Sequence, residues 1–313
     1  MGIMNKVKTV IKHPHILLEW LVRQPGIRNI VSDKIAISVL YRCRFHRKMD
    51  WKNPKSINEK FLWLTVFDRN PLYSILVDKY EAKQWMSKKL EQGCYSLEHI
   101  IPTINIYNSF DSIDFEKLPD SFVLKTTHDS GTVKVINSKD DITKNSKESI
   151  KKQFNRSLKR NYYWFSREWQ YKAVIPRIIA EKKLIGKNDD LADYKIFCFD
   201  GKAKYWNYIS NRKIDEYVDY VSMDGERIPC SQGDYKTSTG DIRFPECWNE
   251  MVEIAEYMSS GFTFLRVDFF VDENGKFYLG ELTLTPSSGL LPFHPDEWDY
   301  KFGEMMKLPN ISD

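Results

Sequence analysis

The feature that most constrains how this chain folds is a repeated strand–turn–strand pattern in its carboxy-terminal half. Two turns, Asp200-Gly201 and Asn274-Gly275, each separate a pair of β-rich runs. Those runs are residues 194–199, 203–209, 264–271 and 276–282. Because glycine adopts the positive φ that a tight turn requires, each pair is expected to form an antiparallel hairpin.

Helical patterns alternate with these strands. Ser56 and Glu59 have the spacing of a capping box, so a helix is expected to begin there. Further helices are predicted over 78–90, 138–158 and 246–258. Helices and strands mixed in this order predict an α+β fold. Changes in composition and turn signals divide the chain into segments 1–50, 51–120, 121–184 and 185–313.

Composition excludes several classes of protein. The 313 residues are 42% hydrophobic and 29% charged, which is typical of a folded globular chain. A net charge of +4 is too small for a dedicated nucleic-acid-binding protein. The sequence contains no apolar run long enough to span a bilayer and no signal-peptide pattern. Five widely spaced cysteines without a CxxC pair indicate a reducing compartment, so we expect a cytoplasmic protein.

The first fifty residues are expected to form a basic helical extension. They carry a net charge of +7, and apolar residues are interleaved with the basic ones. Such a segment can lie on an anionic surface, here the inner face of the membrane, through residues 1–48. The alternative is a set of short helices that pack on the protein and expose their lysines to water. The sequence leaves both interpretations open.

Charged residues interrupt the apolar strands of the last hairpin. Arg266 and Asp268 are two residues apart, so both lie on one face of their strand. Glu281 lies at a similar distance on the other side of the turn, so the two carboxylates are expected to be neighbours. Two such anions repel each other unless a divalent cation such as Mg²⁺ binds between them. Arg266 could then stabilise transition-state charge. A surface salt bridge among the three is the alternative.

A small polar loop, residues 128–132, follows a predicted strand that contains Lys125. Such a loop can close backbone N–H groups over phosphate oxygens, with the lysine as a fixed cation. His128 borders the loop and could donate to a phosphate or transfer a proton. An ordinary hairpin turn is the alternative, and the sequence contains no Walker A or GxGxxG motif.

Several blocks of the chain, in order, resemble the TupA-like ATP-grasp family, which is found among bacterial surface-polysaccharide genes. The blocks are 68–73 (DRNPLY), 77–80 (VDKY), 122–125 (FVLK), 128–131 (HDSG), 167–169 (REW), 176–182 (PRIIAEK), 193–202 (DYKIFCFDGK) and 280–283 (GELT). The resemblance implies an ATP-grasp fold, in which two α+β subdomains grip ATP. The subdomains would be 121–184, with the phosphate loop, and 185–313, with the metal site, after an N-terminal α/β domain at 51–120.

The resemblance also implies a nucleotide site. Its residues would be Lys79, Lys125, Asp129, Ser130, Gly131, Thr132, Glu181, Lys182, Leu184 and Asp193. The first two would hold phosphates, and Glu181 would accept from the adenine amine or fix the hinge. Asp189, Asp190 or Asp193 would hold the ribose. Lys195 would be a third lysine on the phosphate side, acting in catalysis with Arg266 and His128.

Metal and substrate residues follow from the same resemblance. Mg²⁺ would be held by Asp268, Glu281 and Thr283, the last standing where the wider superfamily often has Asn. Arginine offers a bidentate fork for a substrate carboxylate, and the loop after residue 285 could present N–H groups to an oxyanion. The candidate substrate residues are Arg167, Arg177, Arg212, Ser288 and Gly289.

The implied function is an ADP-forming, ATP-dependent carboxylate–amine ligase that uses Mg²⁺. It would join an amino acid or amine to a sugar acid, on a small-molecule, nucleotide-linked or lipid-linked glycan precursor. One alternative is a sugar phosphotransferase or glycosyltransferase on the same fold. Another is a non-catalytic nucleotide-binding component of glycan assembly, which the charged trio Arg266, Asp268 and Glu281 disfavours.

Overall fold

The structure is a computed structural model that describes residues 14–187, 190–212, 214–242 and 244–310. The chain divides into two compact units. Unit A consists of the described residues within 1–69, 163–169 and 285–313, and unit B of those within 70–162 and 170–284. The start of the predicted basic segment, with Lys6, Lys8 and Lys12, lies outside the described residues, as does Asp189.

Helices and strands alternate along the described chain. The helices are α1 Pro14–Val22, α2 Pro25–Arg28, α3 Asp33–Phe45, α4 Ile57–Phe67, α5 Leu72–Leu76, α6 Lys79–Gln92, α7 Lys144–Leu158, α8 Tyr163–Ser166, α9 Trp248–Ser259 and α10 Glu297–Glu304. The strands are β1 Thr103–Tyr107, β2 Phe122–Thr126, β3 Val133–Ile136, β4 Ile178–Lys182, β5 Ala192–Phe199, β6 Lys202–Ser210, β7 Tyr217–Ser222, β8 Arg227–Ile228, β9 Ser231–Gln232, β10 Phe264–Val271, β11 Phe277–Thr283 and β12 Phe293–His294. The predicted α+β class is confirmed.

The first sheet of unit B is four-stranded and antiparallel, in the order β1-β4-β2-β3. Phe122 and Leu124 of β2 pack with Phe154 of α7 in an apolar core on one face. Because side chains alternate along a strand, Lys125 of β2 and Glu181 of β4 lie on the other face. The amphipathic sheet therefore buries one side and presents charged groups on the other.

The second sheet of unit B is six-stranded and antiparallel, in the order β11-β10-β5-β6-β7-β8. One face packs against α9, where Ile254 and Met258 are fully buried with Val267 and Phe269 of β10. The alternate residues of β5, β10 and β11 lie on the opposite face. That face carries the charged residues predicted for the metal site.

The turns of this sheet have the predicted form. Asp200 and Gly201 both have positive φ, 48° and 75°, as a type I′ turn between β5 and β6 requires. Gly275, at φ 78°, completes the turn between β10 and β11. The turns set where strand pairing begins, and a β-bulge between Asp268 and Phe269 then shifts the register of β10 and β11 by one residue, so that Asp268 lies opposite Glu281.

Unit A is built around its own helices. The capping box at the start of α4 is present: Ser56 Oγ accepts from the Glu59 N–H, and the Glu59 carboxylate accepts from the Ser56 N–H. Ile37 and Leu40 of α3 pack against Leu62 of α4 in the core of the unit. The N-terminal helices therefore contribute buried apolar surface, not only a basic exterior.

No helix within the described ranges is long and apolar enough to span a membrane.

Candidate functional site

Unit B contains a cavity of about 460 Å³, which is a normal size for a small-molecule site. Its walls come from both sheets of the unit and from α6. The predicted site residues that line it are Lys79, Lys125, Ser130, Gly131, Glu181, Lys182, Leu184, Asp190, Asp193, Lys195, Arg212, Asp268 and Glu281. Residues far apart in the chain are thus brought together in one place.

A buried carboxylate bridges two lysines in this cavity. Glu181 forms one ion pair with Lys83 through Oε1, and Lys125 Nζ lies 2.7 Å from its Oε2. Burial alone would raise the pKa of Glu181, but the two lysines, Lys125 first, lower it to about 2. Glu181 is therefore a permanent anion at any physiological pH.

The loop after β2 is held from inside by Asp129. Its carboxylate accepts hydrogen bonds from the hydroxyls of Thr126, Ser157 and Thr132, the last at 2.8 Å. Burial would raise the pKa of Asp129, but these hydroxyls outweigh it and the pKa is lowered. Asp129 and Thr132 thus fix the loop and do not themselves line the cavity.

The tip of the loop is what the cavity presents to a ligand. Ser130 and Gly131 are exposed, and Gly131 has φ 89°, which few side chains tolerate. Lys79 Nζ donates to the main-chain carbonyl of Asp129 and so ties α6 to the loop. The loop is therefore anchored at its base, with backbone N–H groups at an accessible tip.

His128 is turned away from this tip. It is buried, and its Nε2 lies 3.0 Å from the carbonyl oxygen of Ser157. Burial lowers its pKa and so favours the neutral ring, and Nε2 is placed to donate to that carbonyl. His128 does not line the cavity, and a role in proton transfer stays a prediction.

Three charged residues lie in register on adjacent strands of the six-stranded sheet. Lys195 of β5 is opposite Asp268 of β10, which is opposite Glu281 of β11. The predicted proximity of the two carboxylates is confirmed. Glu281 is exposed, whereas Asp268 is 2% exposed. The pair therefore consists of one buried and one accessible anion.

Asp268 is held by two cations. Arg266 donates through Nε to Oδ1 at 2.6 Å and through Nη2 to Oδ2 at 2.7 Å, and Lys195 Nζ lies 2.6 Å from Oδ2. Burial would raise the pKa of Asp268, but Arg266 and Lys195 lower it. Arg266 also donates to Thr283 Oγ1 at 2.9 Å, so the Thr283 hydroxyl already has a donor.

Asp193 continues this charged face. It forms ion pairs with Arg212 and with Lys195, whose Nζ is 3.1 Å away. Its other oxygen, Oδ1, is buried and accepts no hydrogen bond from the described residues. A buried acceptor without a donor is costly unless a ligand supplies one. Asp193 therefore offers an acceptor for a ligand hydroxyl at the cavity wall.

The donor set can be compared with the needs of a metal ion. Within the residues described, no three His, Cys, Asp or Glu side chains are grouped so that they could hold a metal by themselves. Asp268 and Glu281 nonetheless provide carboxylate oxygens on adjacent strands. Mg²⁺ usually takes one or two carboxylates and completes its shell with phosphates and water. The residues fit a magnesium ion that binds together with nucleotide phosphates.

Arg177, also in unit B, binds two carboxylates at the start of α6. Its Nη2 donates to Asp78 Oδ2 and to Glu81 Oε1, both at 2.9 Å. Asp78 in turn accepts from the backbone N–H of residues 80 and 81, as a helix N-cap does. The guanidinium thus supports the helix that carries Lys79, and its predicted contact with a substrate stays untested.

The remaining predicted substrate residues lie in unit A. Arg167 is 3% exposed and donates to the carbonyl oxygens of Val31 at 3.3 Å and Val22 at 3.2 Å. Ser288 and Gly289 both have positive φ, 54° and 63°. Left-handed backbone is costly for serine, so the loop at Ser288 must be held by its surroundings.

That support includes a buried glutamate that the sequence did not single out as a site residue. Ser288 Oγ donates to Glu168 Oε2 at 2.9 Å, and Ser166 Oγ donates to the same oxygen at 2.5 Å. Burial raises the pKa of Glu168 to about 7, and the hydroxyls lower it only in part. The pKa of Glu168 thus lies close to neutral pH.

Lys83 is the main residue of the cavity that sequence reasoning missed. Lys79 and Lys83 are four residues apart on α6, so they lie on one face of the helix. That spacing was available in the sequence and, once the family resemblance had assigned Lys79 to the nucleotide site, would have placed Lys83 on the same face of the helix. No comparable local signal identifies Phe270 and Gly280, which line the cavity only because two strands meet there.

The sequence profile of the TupA-like ATP-grasp family matches residues 59–307, which is about four fifths of the chain. The resemblance and the fold that it implies are thereby confirmed. Among curated proteins, none matches this sequence.

Solved structures of ATP-grasp ligases are similar in fold. The crystal structure of L-amino acid ligase from Bacillus licheniformis gives a TM-score of 0.46 at 12% identity, covering 83% of this chain and 57% of that one. D-alanine–D-alanine ligase from Bacillus anthracis complexed with ATP gives 0.36 at 18%, covering 67% and 54%. N5-carboxyaminoimidazole synthetase from Staphylococcus aureus complexed with ADP gives 0.40 at 15%, covering 80% and 52%. The chain spans little more than half the length of each.

Proposed function

This chain belongs to the TupA-like ATP-grasp family, and we propose that it is an ADP-forming, ATP-dependent carboxylate–amine ligase. The observation that carries the proposal is a single cavity lined both by Lys79 and Lys125, beside a loop with an exposed glycine tip, and by the pair Asp268 and Glu281. Cations for phosphates and oxygen donors for magnesium are the two requirements of phosphoryl transfer. A cavity with only one of the two would support binding but not chemistry.

The nucleotide would lie across the first sheet of unit B. Lys79 and Lys125 would bind its phosphates, and the N–H groups at the tip of loop 128–132 would close over them. The main chain at 182–184, which lines the cavity directly after β4, would meet the adenine edge. Asp193 Oδ1, which lacks a donor among the described residues, would accept from a ribose hydroxyl.

The reaction requires two steps. A carboxylate oxygen of the first substrate attacks the γ-phosphorus, the bond to the ADP oxygen breaks, and an acyl phosphate forms. The amine then attacks the acyl carbon; the C–N bond forms, phosphate leaves, and the amine loses a proton. The cavity must exclude water during both steps, because water would hydrolyse the acyl phosphate.

The chain's own residues prepare the site for this charge. Asp268 and Glu281, with Thr283 beside them, would hold magnesium, which when bound screens the negative charge of the phosphates. Arg266 and Lys195 fix the Asp268 carboxylate at 2.6–2.7 Å, so it is oriented before a ligand arrives. Arg212, which is ion-paired with Asp193 and 40% exposed, lines the same cavity and would bind a substrate carboxylate.

The proposed substrates are an amino acid or other amine and a sugar acid destined for a bacterial surface polysaccharide. The test is ADP release by the purified chain with ATP, Mg²⁺ and a panel of amino acids and nucleotide-linked uronic acids, with products identified by mass spectrometry. ADP release that requires both an acid and an amine, with an amide product, is expected. ADP release with a sugar alone would indicate a phosphotransferase. Loss of the nucleotide from the nucleotide-linked sugar would indicate a glycosyltransferase. ATP binding without turnover on any pair would indicate an assembly component.

A weak contact with the inner face of the membrane is part of the proposal. Leu17, Leu18 and Trp20 of α1 are 43%, 50% and 55% exposed, within the segment of net charge +7. Apolar side chains beside basic ones favour an anionic bilayer surface. The full chain should co-sediment with anionic vesicles at low salt and be released at high salt. Substitution of the three by glutamine should abolish sedimentation, and a wild-type chain that ignores the vesicles would contradict the contact.

A further inference from the structure

The two lysines that bind Glu181 are not equivalent. The side chain of Lys83, which pairs with Oε1 of the carboxylate, is 3% exposed. The side chain of Lys125, which lies next to Oε2, is 20% exposed. Both line the same cavity, but only Lys125 has a substantial surface that a ligand can reach. Burial lowers the pKa of Lys83, because desolvation of an ammonium group is costly, and the Glu181 carboxylate opposes this shift.

The protons of Lys83 are used within the protein. Its Nζ pairs with Glu181 Oε1, donates to the carbonyl oxygen of Ile101 at 2.8 Å, and lies 3.5 Å from the hydroxyl of Thr103. An ammonium group has three donors, and here each one points to a protein acceptor. Lys83 therefore has no proton left for a phosphate.

Lys125 has fewer partners than Lys83. Its Nζ lies 2.7 Å from Glu181 Oε2, and the described residues supply no second acceptor for it. Lys125 can therefore exchange this carboxylate for a phosphate oxygen at a lower cost than Lys83 could.

We propose that Lys83 is a positioning residue of the nucleotide site: it neutralises Glu181 and thereby leaves the charge of Lys125 available to the phosphates. With Lys83, the three side chains carry one net positive charge. Without Lys83, Glu181 and Lys125 would neutralise each other, and a phosphate would have to compete with a buried carboxylate for its lysine. The inference rests on the proposed function in one respect only, namely that ATP binds in this cavity.

The test measures binding of ATP and of adenosine to the full-length chain by isothermal titration calorimetry. Lys83→Met keeps the length of the side chain and removes its charge. It should weaken ATP binding by about tenfold or more, which is the scale of one charge-assisted contact. Adenosine, which has no phosphate, should bind within about twofold of wild type. A purely structural role would weaken both ligands equally.

A second substitution tests the charge argument directly. In Lys83→Met combined with Glu181→Gln, the net charge beside Lys125 returns to one, and glutamine can still accept from an adenine amine. The double variant should recover most of the lost ATP affinity. Because it also removes the buried carboxylate, it remains informative if Lys83→Met alone fails to fold. The matched control is Lys88→Met, an exposed lysine on the same helix, which should bind ATP as wild type does.

Unchanged ATP affinity in Lys83→Met, or equal losses of affinity for ATP and adenosine, would overturn the inference. A double variant that binds ATP no better than Lys83→Met would also overturn it. If Lys83→Met does not fold, the contradicting result is a double variant that binds ATP far more weakly than wild type. Failure of the proposed function has a different signature, because the wild-type chain itself would then not bind ATP.

Discussion

Two buried glutamates, one in each unit, behave in opposite ways. Glu181 in unit B is 2% exposed and has its pKa lowered to about 2, whereas Glu168 in unit A is 4% exposed and has its pKa raised to about 7. Burial is the largest influence in both cases and raises the pKa in both. The partners differ: Glu181 faces Lys125 and Lys83, and Glu168 faces the hydroxyls of Ser166 and Ser288.

In this protein the charge of the neighbouring groups, not the depth of burial, therefore decides whether a buried carboxyl group is ionised. Hydroxyls stabilise the anion only modestly, whereas a full positive charge nearby reverses the effect of burial. Asp268 in unit B follows Glu181, because Arg266 and Lys195 lower its pKa. Unit B thus holds fixed charges suited to a charged ligand, and unit A holds a group that titrates near neutral pH.

The largest expected effect concerns the carboxylates that would hold magnesium. Asp268→Asn and Glu281→Gln each remove one anionic ligand with little change in volume, so ADP release should be abolished. Circular dichroism and thermal unfolding would show that each variant is folded. Turnover at wild-type rates in either folded variant would remove that residue from the metal site.

The next prediction concerns the ion pairs of Glu181 in unit B. Glu181→Gln leaves Lys83, and next to it Lys125, without an anion, and loss of one partner of a buried ion pair typically costs roughly 3–5 kcal/mol. Urea unfolding at pH 7 should therefore show strong destabilisation. The matched variant Glu168→Gln, in which no cation loses its partner, should not be destabilised to this extent. Equal destabilisation by the two substitutions would contradict the distinction between the units.

The pH dependence of unfolding tests the raised pKa of Glu168 in unit A. A pKa raised from 4.5 to about 7 means that the folded state favours the protonated acid, so stability is full below about pH 4.5 and is lost as the pH rises through 7. The loss amounts to about 3.5 kcal/mol at most, for a shift of about 2.5 pKa units at 1.4 kcal/mol per unit. Glutamine mimics the neutral acid, so Glu168→Gln should unfold with less pH dependence than wild type between pH 5 and 8.

The same measurement can contradict this assignment. If wild type and Glu168→Gln show parallel stability profiles between pH 5 and 8, Glu168 does not titrate in that range. A comparison with Glu181→Gln over the same interval serves as the control, because the pKa of Glu181 lies below it.

The smallest effect concerns nucleotide affinity. Lys125→Ala and Lys79→Ala should each weaken ATP binding by roughly 1.5–3 kcal/mol, the range of a charge-assisted hydrogen bond. Calorimetric titration of both variants measures this directly. Unchanged ATP affinity in both variants would remove these lysines from the site. Arg167→Ala in unit A would not test nucleotide binding, because the Arg167 guanidinium donates to backbone carbonyls.

Local signals in the sequence were sufficient for much of the fold. The turn at Asp200-Gly201 and the capping box at Ser56 depend on residues within a few positions of each other, and both form as predicted. The proximity of Asp268 and Glu281 was predicted from strand alternation and a single hairpin, but a β-bulge next to Asp268, which the sequence analysis did not predict, brings the two residues into register. The family resemblance added Lys79, which no local pattern on its own would have singled out.

The partners of the charged groups were decided only by the tertiary structure. The ion pair between Lys83 and Glu181 joins residues that are nearly a hundred positions apart, and no local pattern encodes such a contact. The engagement of Arg167 with backbone carbonyls is equally nonlocal. The sequence by itself determined the two hairpins with their turns and the capping box, because those depend on short-range backbone preferences. Which carboxylate meets a lysine and which meets only hydroxyls depends on packing between distant segments, and that packing sets their charge.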